Sequence, residues 1–129
     1  MKKKIKNTIM NLGTFKMNAN TSCFGLELYK KNNYEPFSSD IVRFLLKPNS
    51  IFVDIGAYYG YYSLLAYQSQ RNVRIIAFEP VRENFDILKK NLLLNKVKDF
   101  EIYNIAISNR EGVSQFNLTK ASDCAGFYR

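Results

Sequence analysis

Two acidic residues stand where apolar runs of the sequence end, and their spacing suits a cationic ligand. Asp54 lies two places before Gly56, and Glu79 follows Gly56 by 23 residues. A carboxylate at the end of a buried strand is costly unless it meets a cation or hydrogen-bond donors. An ammonium group would suit Asp54, whereas a pyrophosphate would be repelled there. Glu79 lies near the ~20-residue separation at which nucleotide-binding folds place an acid on the ribose hydroxyls.

Each of the two carboxylates also has a purely structural alternative. Asp54 would then only cap the loop that follows it. Glu79 would be a helix-start acid stabilised by the helix dipole, with Pro80 in the first turn. The occurrence of both acids in register makes each structural alternative less favoured than it would be alone.

A glycine-bearing loop, residues 56–60, joins Asp54 to the next predicted helix. Gly56 permits a sharp turn, and Gly60 lets a ligand or the next helix approach the backbone closely. The helix that begins at Gly60 offers free N–H groups and a partial positive charge to an anionic group. Ala57 and Tyr58 belong to the same loop and are included in the predicted ligand-binding set.

The tyrosines of this loop and the end of the third predicted strand are weaker candidates. A cation over an aromatic face gains ~0.5 to 2 kcal/mol, but packing in the first helical turn is the favoured role of Tyr61 and Tyr62. At the third strand end, Asn104 or the backbone near Ala106 is predicted to contact a purine edge, and Ile105 is assigned to packing.

Alternating strands and helices are predicted around these residues. Ser39 is expected to cap a helix that Pro48 stops at about Lys47. The predicted strands span residues 51–55, 73–78, 100–107 and 113–118, the last two as a hairpin, and the predicted helices span about 60–70 and 81–95. Such alternation is typical of an α/β fold, a parallel sheet with helices on both faces.

Residues 1–36 differ from the rest in composition. They are rich in Lys and Asn without a clean period, which predicts a loosely structured basic leader with a short strand or hairpin around Phe24 to Tyr34. They supply +5 of the +8 net charge, and a solvated segment is favoured over a nucleic-acid contact. Residues 37–129 are expected to form the N-terminal part of one domain.

Composition excludes several classes of protein. The chain has no histidine, and Cys23 and Cys124 lack metal-ligand spacing, so metal-hydrolase chemistry is disfavoured and no metal site is predicted. No signal peptide and no apolar stretch near the ~20 residues of a membrane span occur. The sequence therefore predicts a cytoplasmic protein without a membrane span.

Three blocks in order resemble the FkbM-type methyltransferases. These blocks are VDIGAYYGYYS, FEP with a helix of the ENFDILKKNLLLN kind, and NIAISNREG, and they cover residues 51 to about 118. The resemblance implies a Rossmann-like class I methyltransferase fold, S-adenosyl-L-methionine as cofactor, and methyl transfer, typically to oxygen on a sugar, polyketide or other small molecule. It assigns cofactor roles to Asp54, Gly56, Gly60 and Glu79. Tyr58 departs from the pattern, because the family usually has Asn there.

The resemblance also predicts how many strands the complete sheet of such a domain has. The family's sheet has about seven strands, so this chain is expected to be truncated to the first half of the parallel sheet. A sheet edge left exposed in this way could lead to self-association.

Alternative functions remain at this stage. An RNA methyltransferase is favoured by the +8 charge but lacks a dedicated RNA motif. A non-catalytic remnant is the next alternative, and a dinucleotide oxidoreductase comes last because the loop is not G-x-G-x-x-G. The sequence identifies no catalytic base.

Overall fold

A three-stranded parallel sheet carries both acidic strand ends in the computed structural model, which describes residues 8–19 and 34–115. The elements in chain order are β1 Thr8–Asn11, β2 Lys16–Ala19, α1 Pro36–Leu45, β3 Ile51–Ile55, α2 Tyr61–Ser69, β4 Arg74–Phe78, α3 Arg82–Leu94 and β5 Phe100–Tyr103. The sheet order is β3-β4-β5, and both pairings are parallel. The predicted α/β fold is confirmed.

The described helices cover one face of this sheet. Ile75 and Ala77 on the covered face are fully buried, whereas Ile51, Val53 and Ile55 on the opposite face are 59%, 51% and 63% exposed. Helices on both faces were predicted, and for the described residues that prediction is wrong. The crossovers β3-α2-β4 and β4-α3-β5 run in the same direction across the sheet, so right-handed connections put α2 and α3 on the same side.

The core lies between the covered face and the helices. Leu64 of α2 and Leu88 and Leu92 of α3 are completely buried there. Leu88 and Leu92 lie about one helical turn apart, so they share the buried side of α3. Among the described helices, none has the length and apolarity to cross a bilayer.

Residues 8–19 form an antiparallel hairpin, β1 with β2. The prediction of a loosely structured leader is wrong for this segment. Its alternate side chains Met17 and Ala19 are completely buried, so β2 packs its apolar face into the core. The hairpin predicted around Phe24 to Tyr34 lies outside the described residues, except for Tyr34.

Two asparagines of α3 hold this hairpin in place. The Asn91 side chain accepts a 2.7 Å bond from the Asn18 N–H and donates a 3.1 Å bond to the Asn18 carbonyl. Asn95 makes the same two-way contact with the backbone of Lys16 at 2.9 and 2.6 Å. These side chains satisfy backbone groups at the edge of β2 and connect the leader to the domain.

Three predicted boundaries differ from those observed. α1 begins at Pro36, and Ser39 is a buried helical residue whose hydroxyl donates to the Tyr34 carbonyl at 2.7 Å instead of capping the helix. β5 ends at Tyr103, because Asn104 turns its side chain to the β4–α3 loop. The predicted fourth strand is absent from residues 113–115, the part of it that the structure describes.

Gly60 fixes the distance between α2 and α3. It caps α2 with φ +85°, and a Cβ added there would lie 2.5 Å from Leu88 Cδ1. The close approach predicted at Gly60 is therefore made by α3. Gly56 has a similar φ of +76°, yet an added Cβ would meet nothing within 4 Å.

We predict that Gly60→Ala destabilises the protein more than Gly56→Ala. Both changes force a non-glycine residue into the left-handed region at roughly 1 to 2 kcal/mol, but only Gly60→Ala adds overpacking of roughly 1 to 3 kcal/mol against Leu88. Urea unfolding of the two variants measures the difference directly. Equal losses of unfolding free energy would contradict the Leu88 contact.

Candidate functional site

The Asp54 carboxylate is buried at the carboxyl end of β3 and contacts the first turn of α2. Its Oδ2 accepts bonds from the Ser63 N–H at 3.1 Å and the Ser63 hydroxyl at 2.6 Å. Burial raises the pKa of Asp54, the two Ser63 bonds oppose that shift, and Glu79 adds to it. Among residues 8–19 and 34–115, no Lys or Arg forms an ion pair with Asp54.

Glu79 is buried at the end of β4 and holds two loops at once. Its Oε2 accepts the Tyr58 N–H at 2.8 Å, and its Oε1 accepts the Val81 N–H at 2.9 Å and the Asn84 amide at 3.3 Å. The contact with Val81, the residue that caps α3, matches the structural alternative for this residue. A carboxylate has about four acceptor positions, so these three bonds leave capacity for another donor.

The loop between β3 and α2 is tied to the neighbouring strand through its backbone. Gly56 and Ala57 both donate to the Phe78 carbonyl, at 2.9 and 3.0 Å. Tyr58 adopts φ +52°, and its ring stacks on Tyr59 with 3.9 Å between centroids. The residue that departs from the FkbM-type pattern thus contributes its backbone N–H to Glu79 and its ring to a tyrosine pair.

A cavity of about 210 Å³ opens at this end of the sheet and brings four predicted residues together. These are Asp54, Gly56, Ala57 and Tyr58. Four residues absent from the predicted set complete its wall, namely Tyr34, Glu35, Tyr61 and Tyr62. Among the described residues, the wall therefore combines two carboxylates with four aromatic rings and has no basic side chain.

The other predicted site residues lie outside this wall. Gly60 faces Leu88, and Glu79 reaches the cavity only through its bond to the Tyr58 N–H. Ala106 is half-buried in the segment after β5. Asn104, its neighbour in the prediction, donates to the carbonyls of Glu79 and Pro80 at 2.8 and 3.0 Å and joins the ends of β4 and β5.

Sequence reasoning missed, or gave another role to, the four lining residues named above and Ser63. Ser63 is the partner of Asp54, and its place in the first turn of α2 was the available signal. Glu35 comes directly before Pro36 at the start of α1, a position typical of a helix boundary and not of a ligand site. Tyr62 was assigned to packing, although its hydroxyl contacts Glu35.

A second, more apolar cavity of about 460 Å³ adjoins the first. It lies between α1 and β3, and Phe37, Ile41 and Phe52 contribute to its wall. Asp54 and Tyr62 line both cavities, so they stand where the two meet.

The donors and charges present fit an organic cation and not a metal ion. Two carboxylates face a space that no lysine or arginine of residues 8–19 and 34–115 lines, and a Cβ added at Gly56 would meet nothing within 4 Å. No group of three or more metal-ligating side chains occurs among the described residues. A ligand that carries ammonium or sulfonium charge would compensate the buried carboxylate of Asp54.

The fold is similar to those of several solved structures, including that of a SAM-dependent methyltransferase. P. horikoshii TYW2 in complex with MeSAdo is 22% identical with a TM-score of 0.61, over 80% of this chain and 37% of that protein. M. jannaschii TYW2 in complex with AdoMet is 17% identical with a TM-score of 0.59, over 79% and 44%. A SAM-dependent methyltransferase from Agrobacterium tumefaciens is 11% identical with a TM-score of 0.56, over 80% and 34%.

These similarities show the class I methyltransferase fold that the sequence predicted. The chain spans less than half the length of each of these proteins. No protein-family model matches the chain, and no curated protein matches its sequence. The FkbM type therefore stays a prediction.

We predict that Asp54→Asn stabilises the unliganded protein at neutral pH. The pKa of Asp54 is raised in the folded state, so its ionised form costs stability as pH rises through that pKa, and the cost vanishes below the ordinary value of ~4. Asparagine keeps an acceptor for Ser63 without the charge.

The measurement is urea unfolding of both proteins between pH 7 and pH 4. The advantage of Asp54→Asn should shrink as pH falls. Asp40→Asn, at an exposed aspartate of α1, is the matched control and should show no comparable trend. A constant difference between Asp54→Asn and the unaltered chain across this range would contradict the assigned cost of burial.

Proposed function

We propose that this chain is the cofactor-binding part of an S-adenosylmethionine-dependent methyltransferase. The observation that carries the proposal is the pair of buried carboxylates at the carboxyl ends of β3 and β4, neither of which forms an ion pair with a described Lys or Arg. Open α/β sheets bind ligands at this edge. The class I fold of the similar structures supports the same function.

Asp54 would receive the ammonium group of the cofactor in the smaller cavity. The carboxylate is already oriented by Ser63, so binding would not require it to be ordered again. Gly56 and Ala57 would border the same group, because both line the cavity and are fixed by the Phe78 carbonyl. When bound, the cofactor supplies an electrophilic methyl group.

Glu79 would accept a ribose hydroxyl at its remaining acceptor position. It is held by Tyr58, Val81 and Asn84, so its carboxylate has a fixed direction. Asn104 and Ala106 follow β5, the strand next to β4. A cofactor that extends from the end of β3 past the end of β4 would place its purine edge near these two residues. Gly60 would contribute indirectly, by setting the position of α2 against α3.

Two classes of methyl acceptor are compatible with this proposal. The resemblance to FkbM-type enzymes favours a small molecule or sugar, methylated on oxygen. The observation that favours RNA is the net charge of +8 with a pI near 9.5. The described residues account for only +2 of that charge, so RNA contacts would rest mainly on residues 1–7, 20–33 and 116–129.

We predict that Glu79→Gln weakens S-adenosylmethionine binding about tenfold, because a charge-assisted bond to ribose is lost while an acceptor for the Tyr58 N–H remains. Isothermal calorimetry on the full chain measures the dissociation constant. Glu83→Gln, an exposed neighbour in the first turn of α3, is the matched control. The same affinity in both variants would argue against a ribose contact at Glu79.

We predict that, if RNA is the acceptor, RNA binding weakens steeply with salt. Each phosphate that is neutralised contributes a slope of about −0.7 to −0.9 in a plot of log affinity against log salt. Filter binding between 50 and 200 mM salt tests this dependence. A flat dependence would leave the small-molecule acceptor as the supported class.

A further inference from the structure

Three tyrosines form one aromatic cluster on the wall of the smaller cavity. The rings of Tyr34 and Tyr61 meet edge to face, with 5.4 Å between centroids and 74° between planes. Tyr61 and Tyr62 meet in the same way at 5.3 Å and 84°. Such mutual contacts fix ring orientation, so the cluster presents a preformed aromatic surface to the cavity.

Glu35 is fastened to this cluster by a hydrogen bond. The Tyr62 hydroxyl donates to Glu35 Oε2. Burial, and then the bond to Glu35, raises the pKa of Tyr62 to about 12, so the hydroxyl stays a donor at neutral pH. The exposed Glu35 carboxylate is thereby held at the cavity wall and is not free to swing into solvent.

The cavity wall therefore has two acidic places with different surroundings. Asp54 is buried beside the glycine loop, whereas Glu35 stands beside the tyrosines at the start of α1. A volume of about 210 Å³ is below the ~300 Å³ at which pockets for drug-sized ligands begin, so the cavity suits one end of a cofactor and not the whole molecule.

We propose that Glu35, Tyr62 and the tyrosine cluster select for the sulfonium of S-adenosylmethionine, while Asp54 binds its ammonium group. This inference rests on the proposed function and adds Glu35 and the three clustered tyrosines to its site. A sulfonium over aromatic faces gains cation–π attraction, and a nearby carboxylate adds to it. Both contributions act on the charge of the sulfur.

The selection has a consequence for product release. Methyl transfer forms a bond between the methyl carbon and the acceptor's nucleophilic atom, which supplies the electron pair and gives up its proton. The sulfur–methyl bond breaks with its electron pair left on sulfur, which becomes a neutral thioether. S-adenosylhomocysteine keeps the ammonium group that Asp54 would hold but loses the charge that Glu35 and the tyrosines would attract. The site would therefore favour the methyl donor over the spent cofactor.

The test compares the two cofactor forms by calorimetry on the full chain. Glu35→Gln and Tyr62→Leu should each weaken S-adenosylmethionine binding about fivefold or more and S-adenosylhomocysteine binding less than about twofold. Tyr62→Phe keeps the ring and should retain more of the preference than Tyr62→Leu. Asp54→Asn should weaken both forms alike.

A second tyrosine–glutamate pair supplies the control. The Tyr103 hydroxyl donates to Glu101 on the exposed face of the sheet, away from the cavity, so Glu101→Gln should change neither affinity. Equal weakening of both cofactor forms by Glu35→Gln and Tyr62→Leu, or no weakening of either form, would overturn the selection. Failure of the unaltered chain to bind either form would overturn the proposed function itself.

Discussion

The bonds that Ser63 donates to the buried Asp54 carboxylate are the interaction on which the site depends. They join the end of β3 to the first turn of α2. They also give two hydrogen-bond donors to a carboxylate whose burial costs folding free energy. Two neutral donors do not cancel a charge, and the raised pKa of Asp54 records the remaining cost. This cost favours ligand binding, because a cation that reaches the carboxylate offsets the free energy lost by burying its charge. Structural and ligand-binding roles are therefore not exclusive alternatives at Asp54.

Glu79, at the end of the neighbouring strand β4, also positions backbone groups of the site. Glu79 fixes Tyr58 through one oxygen and the start of α3 through the other, while the Phe78 carbonyl accepts the N–H groups of Gly56 and Ala57. The loop is thereby held against the end of β4 before any ligand arrives. Preorganisation of this kind lowers the ordering cost of binding. It also explains why two acids separated by 25 positions act on one loop.

Within the described residues, helices cover only one face of the sheet. Ile51, Val53 and Ile55 form an exposed apolar stripe on an edge strand, and the outer side of α1 adds Phe37 and Phe44, 79% and 86% exposed. Exposed apolar surface of this kind is characteristic of association sites or of aggregation hazards. Self-association through the sheet edge stays a prediction. The cofactor cavity lies on the covered side, so the site and the exposed stripe are separate parts of the molecule.

The sequence by itself determined β3, the glycine loop, α2, β4 and α3, because β-branched runs, helical periodicity and glycine punctuation act over a few residues. It also identified Asp54 and Glu79, since an acid ending an apolar run is visible without coordinates. Only the tertiary structure decided which face of the sheet is covered, that residues 8–19 pack onto α3, and that Glu35 and Asp54 line one cavity. These depend on the direction of the crossovers and on partners 19 to 79 positions apart, and no local pattern encodes a contact between segments that meet only when the chain folds.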